Sequence, residues 1–293
     1  MEREVEVEPG VSLWVQDLPA AGVGGGRPGE PVLLVMGANT SGLAWPDALV
    51  ESLRARHRVV RYDHRDTGRS TFAFDEHPYA VADLAADGLA VLDACGIERA
   101  HVVGMSMGGT LAQVMALDAP ERLASVTLVC TAALSADRDG LPGPTRDVLR
   151  MWQEMTDPRD ERGELAWRVE HWRRLHGTAM PFDPLEFRAL ERRLMAHAGR
   201  SDSPAAHAHA DPDGLDRGDE LATITVPTLV VEAPEDPVNP PPHASHLTER
   251  IGPAARLVTI PGMGHALPST VLTPLAEAVL SHAAAAEGAA RRR

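Results

Sequence analysis

The 293-residue chain contains no lysine, two cysteines and few aromatic side chains (4%). All 28 of its basic residues are arginine, against 42 acidic ones, which leaves a formal net charge of −14. Nucleic acids and anionic membranes are held by basic patches, so this balance argues against either as a partner. Cys95 and Cys130 are too few for a disulfide framework or a cysteine zinc site, and both are expected to be small buried residues. No apolar run approaches the ~20 residues of a membrane span, and the charged first ten residues do not resemble a signal peptide. No P-loop and no well-placed G-x-G-x-x-G occur, so no nucleotide cofactor is implied. A cytoplasmic protein with no cofactor and no metal is expected, as a monomer or homodimer acting on a small molecule.

What is present is an alternation. Residues 2–8 and 11–17 alternate polar and apolar around Pro9-Gly10 and predict a hairpin. A glycine-rich loop follows over residues 19–30. A continuous apolar run, the mark of a strand covered on both faces, lies at 31–36, and further strands are expected at 58–63, 100–105 and 124–130. Helical patterns separate them at 45–56, 81–95 and 107–119. Strands alternating with helices predict an α/β fold with a mostly parallel central sheet and helices on both faces. From 135 to 220 the strand signal vanishes, while Trp152, Trp167 and Trp172 recur at helical spacing with Met151, Met155 and several leucines. Strand, helix, strand, helix then resume. The expected organisation is one core domain, residues 1–134 and 221–293, interrupted by a helical cap at 135–220. The acidic stretch "DPDGLDRGDE" misses the calcium-loop pattern and is expected to be a solvated linker.

The stretch "HVVGMSMGGT" places Ser106 between Gly104 and Gly108, directly after a buried-strand pattern and directly before a helix. That context predicts a nucleophile elbow, a turn so tight that only small residues fit beside the serine. A serine needs a base, and the base needs an orienting acid. Downstream, "VVEAPEDPVNP" ends one predicted strand and "TIPGMGHALP" ends the last. Asp236 and His265 therefore fall at the sheet edge where Ser106 emerges. Glu235 is a rival acid and Glu232 a more distant one; His243 and His246 begin a helix and are expected at the surface. Oxyanion donors are expected from the N–H of Met107, next after the serine, and of Ala38, beyond Gly37 on the loop after the first buried strand. "RYDHRDTGRS" is expected to be a salt-bridged turn supporting the elbow.

These residues resemble the α/β-hydrolase superfamily. "LLVMGANTSGLAWPD", "VVRYDHRDTGRST", "AHVVGMSMGGTLAQVMALD" and "IPGMGHALPS" further resemble the anthracycline methyl esterases, of the aclacinomycin methylesterase and carminomycin esterase type, over nearly the whole chain. The resemblance implies an α/β-hydrolase fold and the triad Ser106, Asp236 and His265. It also implies oxyanion donors at Ala38, where the family has glycine, and Met107. It implies hydrolysis of a carbomethoxy ester on an aromatic polyketide, releasing methanol and a carboxylic acid that can decarboxylate. The three tryptophans and several methionines of the cap themselves predict a lid over a flat polycyclic ligand, with Gly37, Trp152, Met155 and Trp172 expected to line the pocket. Other hydrolases, such as an iminopeptidase or a carbon–carbon bond hydrolase, would share the triad. A hydrolase-like binding protein would have no use for it.

Overall fold

A computed structural model describes residues 1–22, 28–134 and 140–292. Part of the glycine-rich loop (23–27), the first residues of the expected cap (135–139) and Arg293 lie outside the described residues. The predicted hairpin forms as β1 (Glu2–Glu8) and β2 (Val11–Leu18), joined through Gly10 at φ +84°. The buried runs become β3 (Val32–Val35), β4 (Val59–Tyr62), β5 (Ala100–Met105) and β6 (Leu123–Val129); β7 (Thr228–Glu232) and β8 (Ala255–Thr259) complete the sheet. The order is β1-β2-β4-β3-β5-β6-β7-β8, antiparallel at β1–β2 and β2–β4 and parallel beyond.

Strand side chains alternate between two apolar cores. Leu33, Val35 and Val102 point to one, packed with Leu84 and Leu92 of α2 (Asp83–Ala94) and with Leu111 and Met115 of α3 (Met107–Asp118). Val32, Leu34 and Val103 point to the other. There they meet Leu49 and Leu53 of α1 (Asp47–Arg54) and Leu275 and Val279 of α8 (Ser269–Ala290). Two covered faces explain why these strands are largely apolar, with Arg61 and His101 buried among them. α7 (His243–Ile251) links β7 to β8. Between β6 and β7 the chain forms α4 (Arg146–Gln153), α5 (Glu161–His176) and α6 (Pro184–Ala198). A 3-10 turn at Gly218–Thr223 straddles the expected end of the cap, and its Leu221 is buried in the first core.

Three expectations change. His243 is buried, with Nε2 against the Pro142 carbonyl, and is not a surface residue. His246 is half-buried. The acidic stretch is largely exposed but fastened: Asp211 bridges to Ala80, and Arg217 pairs with Asp118 and Glu220. Cys95 and Cys130 are free and buried. Among the described residues no helix is long and apolar enough to cross a membrane.

Candidate active site

Ser106 sits between β5 and α3 at φ +55°, ψ −121°. An L-residue there costs on the order of 1–3 kcal/mol, and such strain persists only where the surroundings over-determine it. They do so here. A Cβ on Gly104 would lie 2.1 Å from the Gly108 carbonyl oxygen, and one on Gly108 would lie 2.0 Å from that of Val35. The Ser106 N–H donates to Val129 of β6 at 2.9 Å, tying the turn to the next strand. Packing thus demands the glycines, and the serine is lifted off the carboxyl edge of the sheet.

His265 and Asp236 come from the loops after β8 and β7. The imidazole Nδ1 lies 2.9 Å from both Asp236 carboxylate oxygens, and both residues are buried. Asp236 Oδ1 also accepts the N–H groups of Val238 (2.8 Å) and Asn239 (3.0 Å). Burial alone would raise the Asp236 pKa, but His265 and these two donors outweigh it and hold the carboxyl below its ordinary value. The rival acids are occupied elsewhere. Glu235 accepts the N–H and hydroxyl of Thr178, and Glu232 accepts the Thr259 hydroxyl. Ser106 and His265 line one cavity, and no hydrogen bond joins them among the described residues. Such bonds commonly tighten only on substrate binding.

The loop after β3 reaches over the serine: a Cβ on Gly37 would sit 3.3 Å from the Ser106 Cβ. Ala38 follows without a positive φ, so alanine is accommodated there, and Asn39 takes the left-handed turn at φ +56°. Met107 opens α3, where helix geometry leaves its N–H without an intrahelical acceptor. "RYDHRDTGRS" braces this loop rather than the elbow. Asp63 Oδ1 accepts from Ser41 and Gly42, its Oδ2 accepts from the Arg69 N–H and faces His197 of α6, and His64 Nε2 donates to the Met36 carbonyl. Arg65 is held by Asp87 through two 2.7 Å contacts.

The cavity, about 340 Å³, has Gly37, Ala38, Ser106 and His265 on its core side. Trp152, Met155, Trp167 and Trp172 face it from α4, α5 and the segment between them. Trp172 is also stacked on Phe187 and bonded through Nε1 to Glu191, whereas Trp152 is 37% exposed. His171 joins the wall; burial, with a smaller contribution from nearby His265, pushes its pKa down to about 4, so it is neutral. The carbonyl of Leu175 accepts the His265 N–H at 2.7 Å, and Gly264 packs on the His176 carbonyl. The end of α5 thus holds the histidine loop, a contact that no local pattern announces. Among the described residues, two groups of side chains bring metal-ligand atoms within 4.8 Å of one another. One is Cys130, Asp236 and His265, where burial raises the thiol pKa and keeps it protonated; the other, His57, His101 and Glu287, lies at the far end of β5.

Residues 30–269 match the α/β-hydrolase fold family. Over 94% of its length the chain is 47% identical to rhodomycin D methylesterase DauP of Streptomyces sp. (strain C5). It is 46% identical to DnrP of Streptomyces peucetius; 96% of each relative is covered. Among solved structures, a hydrolase from Pseudomonas aeruginosa PA01 superposes with a TM-score of 0.70 at 29% identity, covering 96% of this chain and 97% of that one. The enol-lactonase from Burkholderia xenovorans LB400 gives 0.74 at 23% identity, covering 96% and 99%. With its mostly parallel eight-stranded sheet and a matched segment spanning most of its length, the chain belongs to the α/β-hydrolase family.

Proposed function

We propose that the protein is a serine esterase that hydrolyses the carbomethoxy group of an anthracycline-type aromatic polyketide. The carrying observation is a strained serine and a carboxylate-bound histidine opening onto one cavity walled by tryptophan and methionine. Similarity to two rhodomycin D methylesterases supports the substrate class. Residues 1–134 and 221–293 act as the catalytic core and 135–220 as the lid.

In this mechanism Ser106 Oγ attacks the ester carbonyl while His265 Nε2 takes its proton. Asp236 fixes the tautomer that leaves Nε2 as acceptor and stabilises the imidazolium. The N–H groups of Ala38 and Met107 receive the oxyanion, an interaction worth about 3–4 kcal/mol per donor. Collapse breaks the bond to methoxide, which leaves as methanol with the proton from His265. Water, activated by the same imidazole, then releases the carboxylic acid, which can lose CO2. The apolar lid excludes bulk water, which strengthens both donors. Glu191 on the wall is engaged by Arg168 and Trp172, so it offers no ready anchor for the ammonium of an iminopeptidase substrate. We place the enzyme in the cytoplasm, as a monomer or homodimer.

The test is methanol release from a panel of methyl-ester anthracyclines, with fluorophosphonate labelling of wild type and Ser106→Ala. Release confined to the polycyclic esters, with labelling lost in the variant, is expected. Labelling that survives Ser106→Ala would sink the reading.

A further inference from the structure

The loop that carries Ala38 is clamped on both sides by a buried imidazole. Before it, His64 Nε2 donates to the Met36 carbonyl at 3.0 Å. After it, His207, in a 3-10 turn at Ala206–Ala208 beyond α6, makes three bonds. Its Nδ1 lies 2.9 Å from the Asn39 nitrogen, its own N–H donates to Asn39 Oδ1 at 3.1 Å, and its Nε2 lies 2.9 Å from the Arg65 carbonyl oxygen. A backbone N–H can only donate and a carbonyl can only accept. His207 Nδ1 is therefore the acceptor and Nε2 carries the proton, so a single neutral tautomer satisfies every partner. Asn39 turns the chain at φ +56°, in the left-handed region that asparagine enters more readily than most residues, and these bonds fix it there. Its Nδ2 reaches Met155 Sδ at 3.7 Å on the cavity wall.

We propose that His207 is the positioning residue of the oxyanion loop, a latch that fixes the Asn39 turn and through it the direction of the Ala38 N–H. The inference rests on the assignment of Ala38 as an oxyanion donor. The place of the turn, one residue from the donor, gives the latch its purpose: without the His207 acceptor the Ala38–Asn39 peptide, whose N–H it receives, is free to rotate, and the Ala38 N–H shifts with it. Burial, with His64 adding to it, pushes the His207 pKa down to about 3. The acceptor nitrogen therefore stays unprotonated wherever a histidine base can work. The latch also couples two regions, because His207 closes the segment that begins with the cap helices while Asn39 belongs to the core.

Two isosteres separate the bonds. His207→Asn puts an oxygen where Nδ1 sits but cannot reach Arg65. His207→Gln reaches Arg65 with its amide nitrogen but has no acceptor for the Asn39 N–H. Removing an oxyanion donor outright costs about 10²–10³ in kcat. Misdirecting one by loss of the latch should lower kcat about 10–100-fold in His207→Gln, with KM within about threefold of wild type. His207→Asn should recover at least fivefold of that loss. The affinity of a trifluoromethyl ketone, which forms a tetrahedral adduct on the serine, should fall in parallel with kcat, while that of the carboxylic acid product should not. Should His207→Gln not fold, Asn39→Gly keeps the left-handed turn and removes the Oδ1 half of the latch together with the Met155 contact. Its kcat should fall about 3–10-fold, whereas in Met155→Leu, which loses that contact alone, kcat should fall by no more than about twofold. Equal losses in the two His207 variants, losses confined to KM, or wild-type kcat in both would overturn the latch. Ser106→Ala, run alongside, separates this outcome from failure of the serine mechanism, which predicts no turnover in that variant whatever His207 does.

Discussion

Across β3, Val32, Leu33, Leu34 and Val35 expose no surface, and their neighbours on both faces are apolar. The helices between β6 and β7 are tied differently. Their apolar cluster is small, with Val148, Leu175 and Phe187 meeting Val238 and Ala266 of the core. Much of the remaining cohesion is polar. Arg168 bridges Glu164 (3.0 Å) and Glu191 (3.2 Å), Arg159 joins Glu164 and covers Trp167, and Trp172 donates to Glu191. Close apolar packing has one good solution and is stiff. A network of long charged side chains is costly to desolvate but can re-pair as helices slide. The contrast suits the tasks proposed for them: one region would hold Ser106 and His265 still, and the other would close around a ligand.

The comparison is broken most forcefully at the core edge. Ser106→Ala should abolish ester hydrolysis while leaving the fold intact, because alanine fits where packing already demands smallness. Turnover within tenfold of wild type, in protein of unchanged Tm, would refute the assignment. Asp236→Asn comes next, at about 10⁴ in kcat, since the histidine then takes the wrong tautomer. Glu235→Gln should cost far less, because Glu235 bonds Thr178 and not His265. A larger loss in Glu235→Gln would reverse the choice of acid.

Stability should separate the regions next. Arg168→Met takes the shared cation from two buried carboxylates, leaving Glu164 with Arg159 and Glu191 with Trp172. It should cost about 3 kcal/mol, the low end for breaking a buried pair. Leu33→Ala opens a core cavity at about 2–5 kcal/mol. The sums are similar but their distribution is not. Hydrogen exchange should quicken mainly in α5 and α6 for Arg168→Met and across the whole sheet for Leu33→Ala. Uniform acceleration in both would mean that the inserted helices unfold only with the core.

Acid should reveal the same division at smaller cost. Burial, the main cause in each case, pushes His171 and His282 down to about 4 and His207 to about 3, so all three are neutral in the fold. The unfolded chain takes up a proton on each below about pH 6.5. Their stabilisation is therefore complete above that pH and declines as pH falls toward 4, by on the order of 1–2 kcal/mol per imidazole at pH 5. Denaturant midpoints should drop between pH 7 and 5, and His282→Asn should reduce the slope. A midpoint flat over that interval would contradict three buried neutral histidines.

The sheet was readable because a strand covered on both faces leaves a run that is apolar throughout, as in "VLLV", or nearly so, as in "LASVTLV" with its buried Ser125 and Thr127. Glycine spacing around Ser106 was readable because part of the steric demand lies within the elbow itself, Gly104 against the Gly108 carbonyl, although Gly108 is required by Val35 of β3. What escaped is set by contacts distant in the chain. "SPAAHAHA" has no periodicity, and nothing local ties His207 to Asn39, 168 positions earlier. Asp63 lies in a motif that suggests salt bridges, yet its partners are Ser41, Gly42, the Arg69 backbone N–H and His197. His243 starts a helix, where a polar residue is normally solvated, but it is buried against Pro142. Helical spacing located the cap tryptophans without distinguishing wall from filling.

That distinction sets the smallest expected effect. Trp152 and Trp172 both line the cavity, but Trp152 is 37% exposed at its rim while Trp172 is stacked at 5.5 Å on Phe187 and bonded to Glu191. Truncating Trp172 removes cap structure as well as wall, so Trp172→Ala should lower Tm and impair every substrate. Truncating Trp152 removes mainly a surface that a bound ring system would cover. Losing part of one aromatic side chain's burial, about 1.4 kcal/mol, corresponds to a tenfold rise in KM for the polycyclic methyl ester. Because p-nitrophenyl acetate is too small to need both the serine and the rim, its hydrolysis by Trp152→Ala should stay within about twofold of wild type. The paired measurement is a KM for each ester on each variant, beside a melting curve. Equal losses on both esters in Trp152→Ala would show that the rim tryptophan supports the cap as Trp172 does, and the lid would lose its role in holding the ring system.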